Sequence, residues 1–186
     1  MLREYSPDTP SGSLTKDLVR SKLWLCTKLQ NLGLDKFSSV YILGSWYGTM
    51  GLFLLHKRIE FDRAYNIDWD FEKTRYVDHL LKRLKLRDRI SAIQMDANDI
   101  DYKGEPILVI NTSTNDMEGL DWLNNIPRGS VVALQGRDHQ GDSNGVETLD
   151  RFDRVYKLRE TLYLGSIVVE DYEGYPYLRF MKIGIK

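Results

Sequence analysis

Gly44, Gly48 and Asp68 are spaced as residues that could hold a nucleoside. The apolar run Val40-Tyr-Ile-Leu43 reads as a buried strand that breaks at Gly44. The chain then turns through Ser45, Trp46 and Tyr47 to Gly48, and passes into an apolar, helix-like segment over 50–56. About twenty residues after this turn, Ala64-Tyr-Asn-Ile67 ends on the acid Asp68. Glycines let a backbone approach a ligand closely, and an acid closing the next strand accepts hydrogen bonds from ribose hydroxyls. The same glycines would serve a plain strand-to-helix turn, and Asp68 would serve as the partner of a cation. Taken together and in this order, the three favour a nucleoside.

Polar residues recur where later strands should end. Asp96-Ala97-Asn98 follows a third apolar run, where an Asx-turn closing the strand is the alternative to a ligand contact. Asn111, Thr112, Ser113, Asn115 and Asp116 make a dense polar patch after a fourth. Loops are polar anyway, but the carboxyl ends of parallel strands are where ligands bind, so Asn111 and Ser113 are candidates for the site. His139, beside Asp138 and just past a fifth strand, is the histidine placed to act as a general base, although an exposed loop histidine is the favoured reading. Trp46 and Tyr47 either line the pocket or cap the core from above. His56 and His79 fall on helices. The three histidines share no ligand spacing and Cys26 stands alone among leucines, so no metal site is expected.

The elements that must position these residues alternate. Residues 1–13 are an arm rich in Pro, Ser and Gly, and 14–32 has apolar residues at helical spacing up to a Gly33 cap. Strands are expected at 39–43, 64–67, 90–95, 106–110 and 130–134, with helices at 48–58, 70–84, 120–125 and 149–157. Asp70 is the cap of the second crossover helix. The stretch 135–147 reads as a loop. Two β-rich runs, 162–170 and 177–185, are joined by a connector too short for a helix, so they should pair antiparallel. The expected fold class is α/β: a Rossmann-like, doubly wound, seven-stranded sheet, mostly parallel, with an antiparallel C-terminal hairpin. One domain over 1–186 is expected, with an N-terminal arm and helix over 1–38 and the core over 39–186.

Composition narrows the partners. Hydrophobic residues make 42% and charged residues 28%, as in a soluble globular protein. With 26 basic and 27 acidic side chains there is no basic excess for a nucleic-acid backbone. The cluster Lys82, Arg83, Lys85, Arg87, Arg89 reads as a solvated helix end. No apolar stretch is long enough to span a membrane and no signal-peptide pattern opens the chain, so a cytoplasmic protein is the default expectation.

From about Ser39 onward the chain resembles the class I S-adenosylmethionine-dependent methyltransferases. Gly44-Ser45-Trp46-Tyr47-Gly48 matches the first motif of that family at its first and last glycine, and Asp68 matches the acid that binds the ribose. Asp96-Ala97-Asn98 resembles the adenine-contacting motif, and Asn111-Thr112-Ser113 stands where the family faces methionine and acceptor. Trp69 lies where the family often stacks a residue on adenine; a core position in the next helix fits it as well. More narrowly, the pattern Asn-Thr-Ser…Trp…Ile-Pro-Arg-Gly…Leu-Gln, with the closing Arg-Phe-Met-Lys-Ile-Gly, resembles small methyltransferase-like proteins of phages and bacteria. The resemblance implies S-adenosylmethionine as cofactor and a small-molecule or protein-borne methyl acceptor. Little chain is left to cover the pocket, which is compatible with a second subunit completing it. Two positions depart from the pattern: Ile42 replaces an acid and Trp46 the middle glycine. These departures support the rival reading, a non-catalytic nucleoside-binding or assembly module on the same fold. A nicotinamide-dependent dehydrogenase is disfavoured, because Trp46 and Thr49 occupy two glycine positions of its motif.

Overall fold

The computed structural model describes residues 8–138 and 146–186. Helix α1 (Lys16–Asn31) leads into strand β1 (Lys36–Leu43), α2 (Thr49–His56), β2 (Glu60–Asp68), α3 (Phe71–Arg83) and β3 (Ile90–Gln94). Then follow β4 (Ile107–Asn111), the short α4 (Asp121–Asn124), β5 (Val131–Arg137), α5 (Leu149–Val155), β6 (Glu160–Glu170) and β7 (Pro176–Ile185). The seven strands form one sheet in the order β3-β2-β1-β4-β5-β7-β6. The first five run parallel, and β7 inserts antiparallel between β5 and β6. This is the expected α/β, doubly wound sheet with its antiparallel hairpin.

Burial explains the order. All five residues of β4 and the last five of β1 are buried, as central strands covered on both faces must be. One face of the sheet packs Leu25, Leu54, Val77 and Leu81 from α1, α2 and α3, and the other packs Trp122 from α4, Phe152 from α5 and Tyr156 directly after it. Cys26 is fully buried in the first layer, and burial pushes its thiol up to about 12, which suits an inert core residue. Asp70 caps α3 as expected, accepting from the N–H groups of Glu72 and Lys73 at 2.9 and 3.1 Å. Beyond α3, Arg87 pairs with Asp78, and Arg89 lies over the Phe61 ring at 5.0 Å, so part of that basic cluster is structural.

The clearest departure from expectation is β5, which runs on to Arg137 where the polar sequence suggested a loop. Its last three residues have no parallel neighbour. Instead they pair with β7, Gln135 opposite Met181, Gly136 opposite Phe180 and Arg137 opposite Arg179. A polar strand end is stable here because a partner distant in sequence supplies its hydrogen bonds. The chain reverses direction across the sheet between β1 and β4, and ligands of open α/β sheets bind at the carboxyl ends flanking such a reversal.

Candidate functional site

The turn after β1 is held open by three left-handed residues, Gly44 (φ 58°), Trp46 (φ 52°) and Gly48 (φ 69°). A glycine takes this conformation without steric cost, whereas tryptophan does so only when its surroundings insist. Asp68 supplies that insistence. Its Oδ2 accepts the Trp46 N–H at 2.7 Å and its Oδ1 accepts the Asp70 N–H at 3.0 Å. Ser45 N–H also bonds the Ile67 carbonyl at 3.0 Å, and Gly48 N–H closes the turn on the Ser45 carbonyl at 2.8 Å. Asp68 therefore joins the ends of β1 and β2 while remaining only 8% exposed.

At these ends lies a concavity of about 320 Å³, at the lower end of the ~300–1,000 Å³ usual for ligand sites. Gly44, Asp68, Trp69, Asp96, Ala97 and Asn98 border it, so residues expected from three separate strand ends meet there. Trp69 is 78% exposed, which excludes the core position and leaves its ring at the rim. Asp96 Oδ1 accepts the Asn98 N–H at 2.8 Å, so the Asx-turn is present and its residues also border the concavity.

Ser45, Trp46, Gly48, Asn111 and Ser113 are not among the bordering residues. Trp46 faces the N-terminal arm: its indole donates to Asp8 Oδ1 at 2.9 Å, a bond that holds the Asp8 carboxyl below its ordinary pKa. Tyr47 donates to the Asp8 carbonyl at 3.2 Å, and Lys73 pairs with the Asp8 carboxylate at 3.3 Å. Asn111 is fully buried, with Oδ1 accepting from Ser113 N–H at 2.8 Å and Nδ2 donating to Met117 Sδ at 3.0 Å. It shapes the loop after β4. Thr114 bonds the Gln135 carbonyl at 3.0 Å, and Asn115 exchanges two bonds with the Arg137 backbone at 3.0 and 2.9 Å, pinning that loop to β5. His139 lies outside the described residues.

Sequence reasoning missed Ile67, Met95, Met117, Glu118 and Trp122, all of which border the concavity, and gave Asp116 no role there. Met95 directly precedes Asp96 and could have been found from its strand-end position. Trp122 reaches the site from α4, and no local pattern announces that approach. The Cβ that Gly44 lacks would stand 3.3 Å from Met117 Cε and 3.5 Å from Ser113 Cβ, so this glycine lets the β4 loop close against the turn. The acidic side chains around the concavity do not form a group able to hold a metal ion among the described residues.

Neither a family model nor a curated protein matches the sequence. Solved structures do. One is an S-adenosylmethionine-dependent methyltransferase from Aquifex aeolicus, with TM-score 0.59 and 19% identity, covering 97% of this chain and 99% of that one. The chain has the methyltransferase fold. Another match is the O-methyltransferase from Bacillus cereus in complex with S-adenosylhomocysteine (TM-score 0.56, 12% identity, 99% and 94% of the two chains). A third is coclaurine N-methyltransferase bound to N-methylheliamine and S-adenosylhomocysteine (TM-score 0.64, 11% identity, 92% and 74%). At such identities the likeness establishes the methyltransferase fold, and the chemistry must be argued from this chain's own side chains.

Proposed function

We propose that the protein transfers a methyl group from S-adenosylmethionine to a small-molecule or protein-borne acceptor. The observation that carries this reading is the charge of the concavity. Asp68, Asp96, Asp116 and Glu118 border it, and no lysine, arginine or histidine does so among the described residues. A cleft of one sign concentrates ligands of the other. S-adenosylmethionine brings a sulfonium and an ammonium, whereas a nicotinamide dinucleotide would bring a diphosphate into a ring of carboxylates.

The roles follow from placement. Asp68, already holding the turn, retains lone pairs for the ribose hydroxyls, and the exposed ring of Trp69 offers a face for adenine. When bound, the cofactor supplies an electrophilic methyl carbon: the acceptor's lone pair forms the new bond to carbon while the carbon–sulfur pair returns to sulfur. The protein's contribution is alignment of acceptor, carbon and sulfur, with a base needed only for an acceptor that arrives protonated. The structural neighbours bound to S-adenosylhomocysteine are consistent with this reading.

Calorimetric titration with S-adenosylmethionine, S-adenosylhomocysteine and NAD tests it. Binding of both sulfur nucleosides but not NAD is expected. Asp68→Asn, which keeps one acceptor oxygen for the turn, should weaken S-adenosylmethionine at least about tenfold, the size of one lost charge-assisted bond. No heat with any of the three, from folded protein, would replace the enzyme by the assembly module that Ile42 and Trp46 favour. Trp69→Ala removes a side chain that packs on nothing in the core, so melting should be unchanged. S-adenosylmethionine should bind it roughly 5- to 100-fold more weakly if a base stacks there; unchanged affinity would remove Trp69 from the site.

A further inference from the structure

Among the described residues three that are not glycine have a positive φ: Trp46, Arg58 and Lys85. Arg58 and Lys85 each follow the capping residue of a helix, α2 and α3, a usual place for the left-handed form. Trp46 ends no helix. It lies between β1 and α2, where the methyltransferase pattern has glycine, and its strained backbone persists because its surroundings hold it.

It is held at both ends. Its N–H donates to Asp68 Oδ2 at 2.7 Å, and its indole donates to Asp8 Oδ1 at 2.9 Å. Lys73 pairs with the Asp8 carboxylate at 3.3 Å and with the Asp70 carboxylate at 3.3 Å. The Asp70 N–H then donates to Asp68 Oδ1 at 3.0 Å. The bonds form a closed circuit that leaves Asp68 by one oxygen, passes through the N-terminal arm, and returns to its other oxygen. The Tyr47 hydroxyl, donating to the Asp8 carbonyl at 3.2 Å, fastens the arm a second time. Asp8 stands at the surface, its side chain 66% exposed, beside a groove of about 500 Å³ between the arm and α3. It can therefore be exchanged without disturbing the core.

We propose that Trp46 and Asp8 are positioning residues for the cofactor: through this circuit the N-terminal arm fixes the Asp68 carboxylate for the ribose hydroxyls. The circuit stands on the observed bonds, and its service to a ribose rests on the methyltransferase reading. A glycine at position 46 would take the left-handed form unaided and leave the arm without this attachment. Tryptophan has to be held, and its indole N–H is the handle by which the arm holds it. The departure from glycine thus makes the arm a part of the cofactor site.

The test measures binding of S-adenosylmethionine and adenosine by calorimetry, with hydrogen exchange of the residue-46 amide, on wild type, Asp8→Ala, Asp8→Asn and Trp46→Phe. Adenosine carries the ribose hydroxyls without the sulfonium. Asp8→Ala and Trp46→Phe should each bind both ligands roughly 3- to 10-fold more weakly, the size of one hydrogen bond, and exchange that amide faster. Asp8→Asn keeps an acceptor for the indole and should bind nearly as wild type. Adding Asp8→Ala to Trp46→Phe, or to Trp46→Gly, should weaken binding no further, since the bond is already absent. Wild-type affinity and exchange in Asp8→Ala, or an undiminished loss when it is added to Trp46→Gly, overturns the positioning role and leaves the methyltransferase reading in place. Asp8-dependent binding of adenosine by a protein that ignores S-adenosylmethionine would keep the positioning role and remove that reading. Failure of wild type to bind either nucleoside overturns both.

Discussion

Alanine at position 48 is expected to cost about 3 kcal/mol of stability and to abolish S-adenosylmethionine binding. Gly48 has φ +69°, and a Cβ there would stand 2.7 Å from Val77 Cγ1 and 3.1 Å from Val77 Cγ2. Val77 is 1% exposed on α3, and a β-branched side chain in a helix has no second rotamer to retreat to. The strain would fall on the turn that Asp68 closes, moving the backbone that borders the concavity. Gly33 is the control. It has the same φ, but nothing lies within 4 Å of its missing Cβ, so Gly33→Ala pays only the conformational cost. Calorimetric melts should show a fall of roughly 10 °C for Gly48→Ala and about 2–6 °C for Gly33→Ala. Equal falls would show that the close approach to Val77 carries no energy.

Lys22→Met is expected to stabilise the protein, most strongly at and below neutral pH. Burial first, and Arg179 second, push the Lys22 pKa down from 10.5 to about 7. In the unfolded chain the lysine titrates at its ordinary value, so between these two pH values the unfolded state holds a proton that the folded state lacks. Wild-type stability therefore rises through this window as the penalty on the charged form disappears. Below pH 7 the penalty is complete, and removing it should gain on the order of 3 kcal/mol, about 6–12 °C in Tm. The advantage of the variant should shrink steadily toward pH 10. A variant less stable than wild type at pH 6 would make Lys22 a structural residue and contradict an unneutralised buried charge.

Much of the scaffold was legible because short-range physics sets it. The apolar runs ending at Leu43, Ile67 and Ile110 are strands in the structure, since residues buried on both faces must be apolar throughout. Asp70 caps α3 by bonding residues two and three positions ahead. The connector 171–175 was too short to allow anything but an antiparallel return. Gly44, Asp68, Asp96 and Ala97 meet at one concavity because parallel strands place their carboxyl ends side by side.

What the sequence by itself determined is the order of elements, the direction of each strand, and the edge of the sheet at which polar strand ends collect. Only the tertiary structure decided how those polar residues divide their work. Asn111 and Asn115, polar residues at one strand end, bond within the β4 loop and to β5. Trp46 turns to the arm, and Trp122 arrives from α4. Likewise, Lys22 on its helix and Arg179 on β7 are both buried, which no local pattern around either residue announces. Periodicity reports which face of an element is covered, through contacts a few residues apart. The charge balance of a buried cluster depends on which distant elements cover it, and that is settled only when the chain closes.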